Sequence, residues 1–174
     1  MNATLAAWNR ADEAAALEAT LACCGARRWA KAMVTARPFA SVEALSEAAD
    51  RIWSTMEVAD WMEAFACHPR IGARTGARNA KHATAKSAAW SAQEQSSTLQ
   101  ATERVIAELA AGNVLYEERF GFTYIVCATG KSAEEMLAIL QRRLTNSREA
   151  ELREAAEQQR QITQIRLGKW LIHE

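Results

Sequence analysis

One imidazole stands at a rigid corner of this chain. In Cys67-His68-Pro69-Arg70-Ile71-Gly72 the proline ends any preceding helix and pushes the residue before it toward extended backbone angles, so the His68 side chain projects away from the helix end. Imidazole gains or loses a proton near neutral pH, which suits general acid or base work. The position equally suits a capping or hydrogen-bonded structural histidine, and local spacing does not choose between them. The neighbouring Cys67 is read as a small buried apolar residue, because adjacent positions rarely bring thiol and imidazole into mutual reach. His68, His82 and His173 are far apart with no carboxylate at ligand spacing, so no metal centre is expected.

A second group with chemical potential is Ser91-Ala-Gln-Glu94. Its spacing is that of a capping box opening a helix, with hydroxyl and carboxylate each satisfying a backbone N–H. The same two groups can instead hydrogen-bond a ligand at a helix start. Between Ala64 and Gln93 no acidic residue occurs while Arg70, Arg74, Arg78, Lys81 and Lys86 accumulate, which makes a local positive field. That field suits attraction of a small anion, or is simply the charge of a solvated loop. Arg166 follows Ile162 by one helical turn, where an arginine either snorkels or reaches into a pocket; Arg160 is its competitor. Ala128-Thr-Gly-Lys-Ser132 lacks the earlier glycine of a phosphate-binding loop, since Ile125 stands there, and nucleotide binding is rejected.

The elements that must position these residues are helices. The chain holds only seven Gly and two Pro, few breaks for a sequence otherwise rich in good helix formers. Periodicity places helices near 5–22, 26–36, 41–54, 57–67, 92–118, 132–144 and 148–171. Gly25 can take the left-handed conformation that closes the first, and Pro38 and Pro69 stop others. Ser41 and Ser132 are candidate N-caps, and Ser132-Ala-Glu-Glu135 permits a capping box. Phe122-Thr-Tyr-Ile-Val-Cys127 is the single strand-like run. With no second run to pair with, it is read as a buried extended segment between helices. Trp8, Trp29, Trp53, Trp61, Trp90 and Trp170 are read as core, with Trp61 and Phe65 sharing one inward helix face. The fold class expected is therefore all-α, a multi-helix bundle forming one domain over 1–174.

Composition excludes several classes of function. Lys+Arg and Asp+Glu each number 21, so the formal net charge is zero, which argues against a dedicated nucleic-acid or membrane-surface binder. No apolar run approaches the roughly 18 residues of a membrane span. Cys23, Cys24, Cys67 and Cys127 show no framework spacing, and the first helical stretch carries charges where a secretory signal would be apolar. A cytoplasmic protein with reduced thiols is expected.

Taken in order, His68-Pro69-Arg70-Ile71-Gly72, Ser91-x-x-Glu94-Gln95, Arg119-Phe-Gly-Phe122 with Ile125-Val-Cys-Ala-Thr-Gly-Lys-Ser132, and Ile165-Arg-Leu167 in a closing Glu-rich helix resemble the 2-oxo-4-hydroxy-4-carboxy-5-ureidoimidazoline (OHCU) decarboxylases. Cys24-Gly25-Ala-Arg-Arg-Trp29 and Arg37-Pro-Phe39 look like the bacterial stand-alone branch of that family. The resemblance runs from about Gly25 to Leu167 and is specific as a combination. It implies an all-helical fold, commonly a homodimer, and cofactor-independent decarboxylation of a small anionic substrate, OHCU, to (S)-allantoin in urate breakdown. By motif His68 resembles the catalytic histidine and Glu94 the essential acid. Pro69, Ser91 and Arg166 match substrate-contacting positions, and the backbone at Ile125 and Val126 matches the segment that bonds the ring. Two alternatives stay open: a hydrolase of a related ureido compound, which would need an activated water and usually a metal, and a helical interaction module in which His68 and Glu94 are structural.

Overall fold

The computed structural model describes residues 2–72, 84–96 and 101–172. Among them are nine α-helices and no strand, so the all-α expectation holds: α1 (Ala3–Arg10), α2 (Glu13–Cys23), α3 (Arg27–Thr35), α4 (Val42–Trp53), α5 (Val58–Phe65), α6 (Ala85–Glu94), α7 (Glu103–Phe120), α8 (Ala133–Arg143) and α9 (Arg148–Ile172). The chain clusters into two compact units, one of residues 1–64 with 160–174 and one of Phe65–Gln159.

In the first unit the helix expected over 5–22 is two helices. The Asp12 carboxylate accepts the N–H of Ala15 and starts α2 afresh, as an N-cap does. The Arg37 guanidinium takes up the carbonyls of Trp8 and Ala11 at 2.7 and 2.9 Å, groups that a continuous helix would have used itself. Gly25 does not take a positive φ; α2 ends instead through extended Cys24. Ser41 caps α4 as expected, accepting the N–H of Ala44. Trp8, Trp29, Trp53 and Trp170 are buried, and the Trp8 and Trp29 indoles donate to the carbonyls of Ala16 and Ala49, so the core reading holds for these. Trp61 is half-buried while Phe65 is buried.

In the second unit α7 packs on α8. Gly112 permits this approach, since a Cβ there would lie 2.6 Å from Leu140 Cδ2. Gly121, at φ 80°, closes α7 in the left-handed conformation, which a residue without Cβ adopts without strain. Ser132 and Glu135 form the expected capping box on α8. The run at 122–127 is buried but for Thr123, and from Thr123 to Ala128 it belongs to neither helix nor strand, as its isolated β-like composition suggested. Phe122 at its start joins Phe65, Tyr116 and Phe120 in a ring cluster.

The expectation of one helix over 92–118 is overturned. Thr84 caps a helix that sequence periodicity had not shown, and that helix ends at Glu94 with Gln95 as its C-cap. Thr102 then caps α7, accepting the N–H of Val105. Residues 97–100 of the expected helix lie outside the described residues. Hydroxyl side chains, which can compete for backbone groups, occur on both sides of this break at Ser91, Ser96 and Thr102. The basic stretch is also divided. Arg74, Arg78 and Lys81 lie outside the described residues, Arg70 is paired with Glu117, and Lys86 stands on α6 over the Trp90 ring.

Candidate active site

The His68 corner is held from several sides. Its backbone N–H donates to the carbonyl of Phe65 at 3.1 Å, prolonging the end of α5 by a turn. Arg70 grips Glu117 of α7 with two parallel bonds of 2.8 and 2.6 Å, the fork geometry that favours arginine over lysine. Asn113, also on α7, donates to the carbonyls of Ile71 and Leu109. Gln95 accepts the N–H of Gly72 at 3.2 Å, which ties the corner to the end of α6. Gly72 takes a φ of 77° at the turn. The bonds to the Ile71 carbonyl and from the Gly72 N–H satisfy backbone groups that no helix serves.

Ser91 and Glu94 do not form a capping box. They occupy the last turn of α6, three residues apart and so on one helix face. Ser91 is 3% exposed and Glu94 half-buried, while the intervening Ala92 and Gln93 face solvent. The S-x-x-E spacing therefore marks a shared face at a helix end rather than a helix start.

That face, the His68 corner and the extended segment enclose a pocket of about 290 Å³, counting the space at its mouth. His68, Pro69, Ser91, Glu94, Ile125 and Val126 all line it, joined by Ile71, Gln95, Tyr124 and Ala128. Six positions anticipated from sequence are thus brought together. Arg166 lies in the other compact unit. It sits within the buried stripe of α9 at 3% exposure, so its head does not snorkel to solvent. Arg160 is committed to Asp50 at 2.9 Å.

The wall at 124–128 cannot rely on a regular element for its shape, and three side chains supply it. Arg143 Nη1 donates to the Ile125 carbonyl at 2.6 Å. Gln158 accepts the N–H of Cys127 at 2.8 Å, and Lys131 Nζ donates to the Cys127 carbonyl at 2.7 Å. Arg143 and Glu151 are both 0% exposed. The guanidinium donates to Glu151 Oε1 through Nε at 2.8 Å and Nη2 at 2.5 Å. The Tyr116 hydroxyl donates to the same oxygen. Burial works to lower the Arg143 pKa, but the Glu151 bond and the surrounding groups outweigh it, so the arginine stays charged. Burial also pushes the Tyr116 and Tyr124 hydroxyls well above the ordinary phenol value, against the opposing charge of Arg143. The Tyr124 ring lies under Arg143, 4.9 Å from its centre, and its hydroxyl donates to the Met136 carbonyl.

Sequence reasoning missed Gln159, Arg143, Glu151 and Gln158. Gln159 Oε1 lies 2.7 Å from His68 Nε2. A signal existed for three of these: Gln159 and Glu151 are polar residues inside the buried stripe of α9 with Leu152, Ala155 and Ile162, and Arg143 falls one turn after Leu140 on the buried side of α8. Polar groups at stripe positions demand partners. Among the described residues no group of three His, Cys, Asp or Glu side chains is arranged to hold a metal ion. No helix among them is long and apolar enough to cross a membrane.

The chain is similar to known proteins over most of its length. The family profile described as OHCU decarboxylase matches residues 9–168. The chain is 40% identical over 148 residues to the uric acid degradation bifunctional protein TTL of Arabidopsis thaliana, covering 84% of this chain but only 44% of that protein. It is 33% identical over 138 residues to the 2-oxo-4-hydroxy-4-carboxy-5-ureidoimidazoline decarboxylase of Amia calva, covering 79% of this chain and 77% of the relative. A crystal structure of OHCU decarboxylase in the presence of (S)-allantoin superposes with a TM-score of 0.74 at 35% identity, over 88% of this chain and 96% of that one. With a match of that length and relatives of that identity, this chain belongs to the OHCU decarboxylase family.

Proposed function

We propose that the protein decarboxylates OHCU to (S)-allantoin without a cofactor, as a carboxy-lyase of urate breakdown. One observation carries this reading: His68, Glu94 and Ser91, named from the motif resemblance, line one small pocket with the backbone-walled segment at Ile125 and Val126. A related chain solved with (S)-allantoin adds support. The substrate brings its own electron sink, a role that other decarboxylases assign to a cofactor. The bond to the carboxylate breaks and carbon dioxide leaves. The adjacent ring imine accepts the electron pair and its nitrogen takes up a proton, a second proton is delivered to the carbon bearing the ureido group, and the hydroxyl releases its own proton as it becomes a carbonyl. The protein has to position, polarise and protonate.

His68 and Glu94 engage the hydroxyl and carboxylate end of the substrate and favour the conformer from which carbon dioxide departs. Pro69 and Ser91 shape and bond that end, and main-chain groups at Ile125 and Val126 take the ring. Arg166 is assigned to the ring carbonyl or ureido group on its motif, with Arg160 set aside because its side chain is engaged by Asp50. The family match over 9–168 supports treating the chain as one catalytic domain. The family resemblance further suggests a homodimer in the cytoplasm, in keeping with four buried cysteines that form no disulfide, and size measurement in solution tests the dimer.

The deciding experiment generates OHCU freshly and follows its decay together with the optical activity of the allantoin formed. The native protein should accelerate the decay and give one hand of product. His68→Asn and Glu94→Gln should each lower kcat/KM by about 100-fold or more, the scale of a lost acid or base. Decay at the spontaneous rate with racemic product would overturn the proposal.

A further inference from the structure

The contact between Gln159 and His68 has a chemical direction. Gln159 is 0% exposed, lies inside the packed stripe of α9, and presents Oε1 to His68 Nε2 at 2.7 Å. An amide oxygen only accepts, so the hydrogen in that bond belongs to the imidazole. A neutral imidazole has one ring hydrogen, and its place on Nε2 leaves the lone pair on Nδ1. We propose that Gln159 is the positioning residue for His68, fixing the Nε2–H tautomer and the ring's orientation so that Nδ1 is the nitrogen that exchanges a proton.

The choice of an amide over a carboxylate matters. A carboxylate at this distance would stabilise the imidazolium, whereas an amide orients the ring without adding a charge beside it. Among the described residues, Glu94 lines the same pocket from α6, and the Arg70–Glu117 pair stands just beyond Pro69. The extended wall at 124–128 brings no charge. Glu94 and the Arg70–Glu117 pair attract or repel whichever tautomer is present. Gln159 selects between the two.

The proposal rests on the decarboxylase reading only for what the Nδ1 lone pair does, and its test separates the two. The full chain labelled with ¹⁵N-histidine holds three histidines, and His68→Asn identifies the signal of interest. The neutral ring of the native protein should show a hydrogen-bearing Nε2 and a bare Nδ1; the opposite pattern overturns the proposal. Gln159→Glu should raise the midpoint of the His68 titration by about one unit or more, the effect of an adjacent opposite charge. In the same variant the pH midpoint of kcat/KM should move with it, while kcat falls about tenfold or more through misorientation. Gln159→Leu should lose the tautomer preference. Should either variant fail to fold, the tautomer of the native ring still decides. An imidazole midpoint unmoved in folded Gln159→Glu overturns the positioning role. A midpoint that moves in a protein showing no decarboxylation upholds the positioning and removes the proposed function instead.

Discussion

A guanidinium shut away from water persists only where its N–H groups all but exhaust themselves on partners, because the cost of desolvating an unpaired charge exceeds several hydrogen bonds. Arg143 meets that demand with Glu151, Tyr116 and the Ile125 carbonyl. Arg143→Met should therefore destabilise the protein by about 3–5 kcal/mol in chemical denaturation, since the buried Glu151 carboxylate loses its counter-charge. Arg143→Met combined with Glu151→Leu should recover part of that loss, and a double variant no better than the single would show that the ion pair is not the source. His68, Glu94 and Ser91 were legible in the sequence because proline, spacing and motif order act locally. Stripe position could flag Gln159 and Arg143 as needing partners but not name those partners, which folding brings close from 91 residues away for the Gln159–His68 pair and 18 for the Arg143–Ile125 pair.

At the level of helices, the tightest fit described is that of α7 on α8. Alanine at Gly112 would gain about 1 kcal/mol of helix propensity, but it drives a methyl into Leu140, which is wholly buried. Overpacking of this kind costs about 1–3 kcal/mol, so Gly112→Ala should be destabilising on balance by about 1 kcal/mol. Gly112→Ala placed on a Leu140→Ala background should cost less than it does alone, and additive losses would contradict the contact. Helices α3, α4, α5, α8 and α9 were readable to within a residue or two from periodicity and caps. The two failures, over 5–22 and 92–118, share one cause. A capping side chain can start a new helix wherever its partner N–H is available, and periodicity that runs on across the break conceals Asp12 and Thr102. The cost of the second failure was larger, because it hid α6 and gave Ser91 and Glu94 the wrong helix end.

Over the whole molecule, charge balance predicts a stability plateau with two edges. Burial works to raise the Glu154 pKa, yet the hydrogen bond from Arg142 and the charges of Arg143 and Arg142 hold it below its ordinary value of 4.5. A depressed carboxyl contributes stability that is complete above that value and drains away as pH falls through the folded pKa. Denaturation midpoints should thus decline below about pH 4.5, and Glu154→Gln should flatten that decline. Both tyrosines of the chain lie in the buried network, and burial raises both. Their contribution is complete below the ordinary value of 10.0 and is lost above it, as the unfolded chain ionises first. Phenolate absorbance should then appear only together with alkaline unfolding. A phenolate signal from the folded protein near pH 10 would show that the network is open to solvent.

The wall at 124–128 carries a last consequence. Its side chains are apolar or, at Tyr124, already engaged with Met136, so any polar recognition it offers resides in peptide groups. Codon replacement alters what hangs from those atoms and leaves the atoms themselves in place. A mutational scan of this stretch would report volume alone and score the segment as filler, and only exchange of an amide for an ester, by chemical synthesis, would expose its part in recognition.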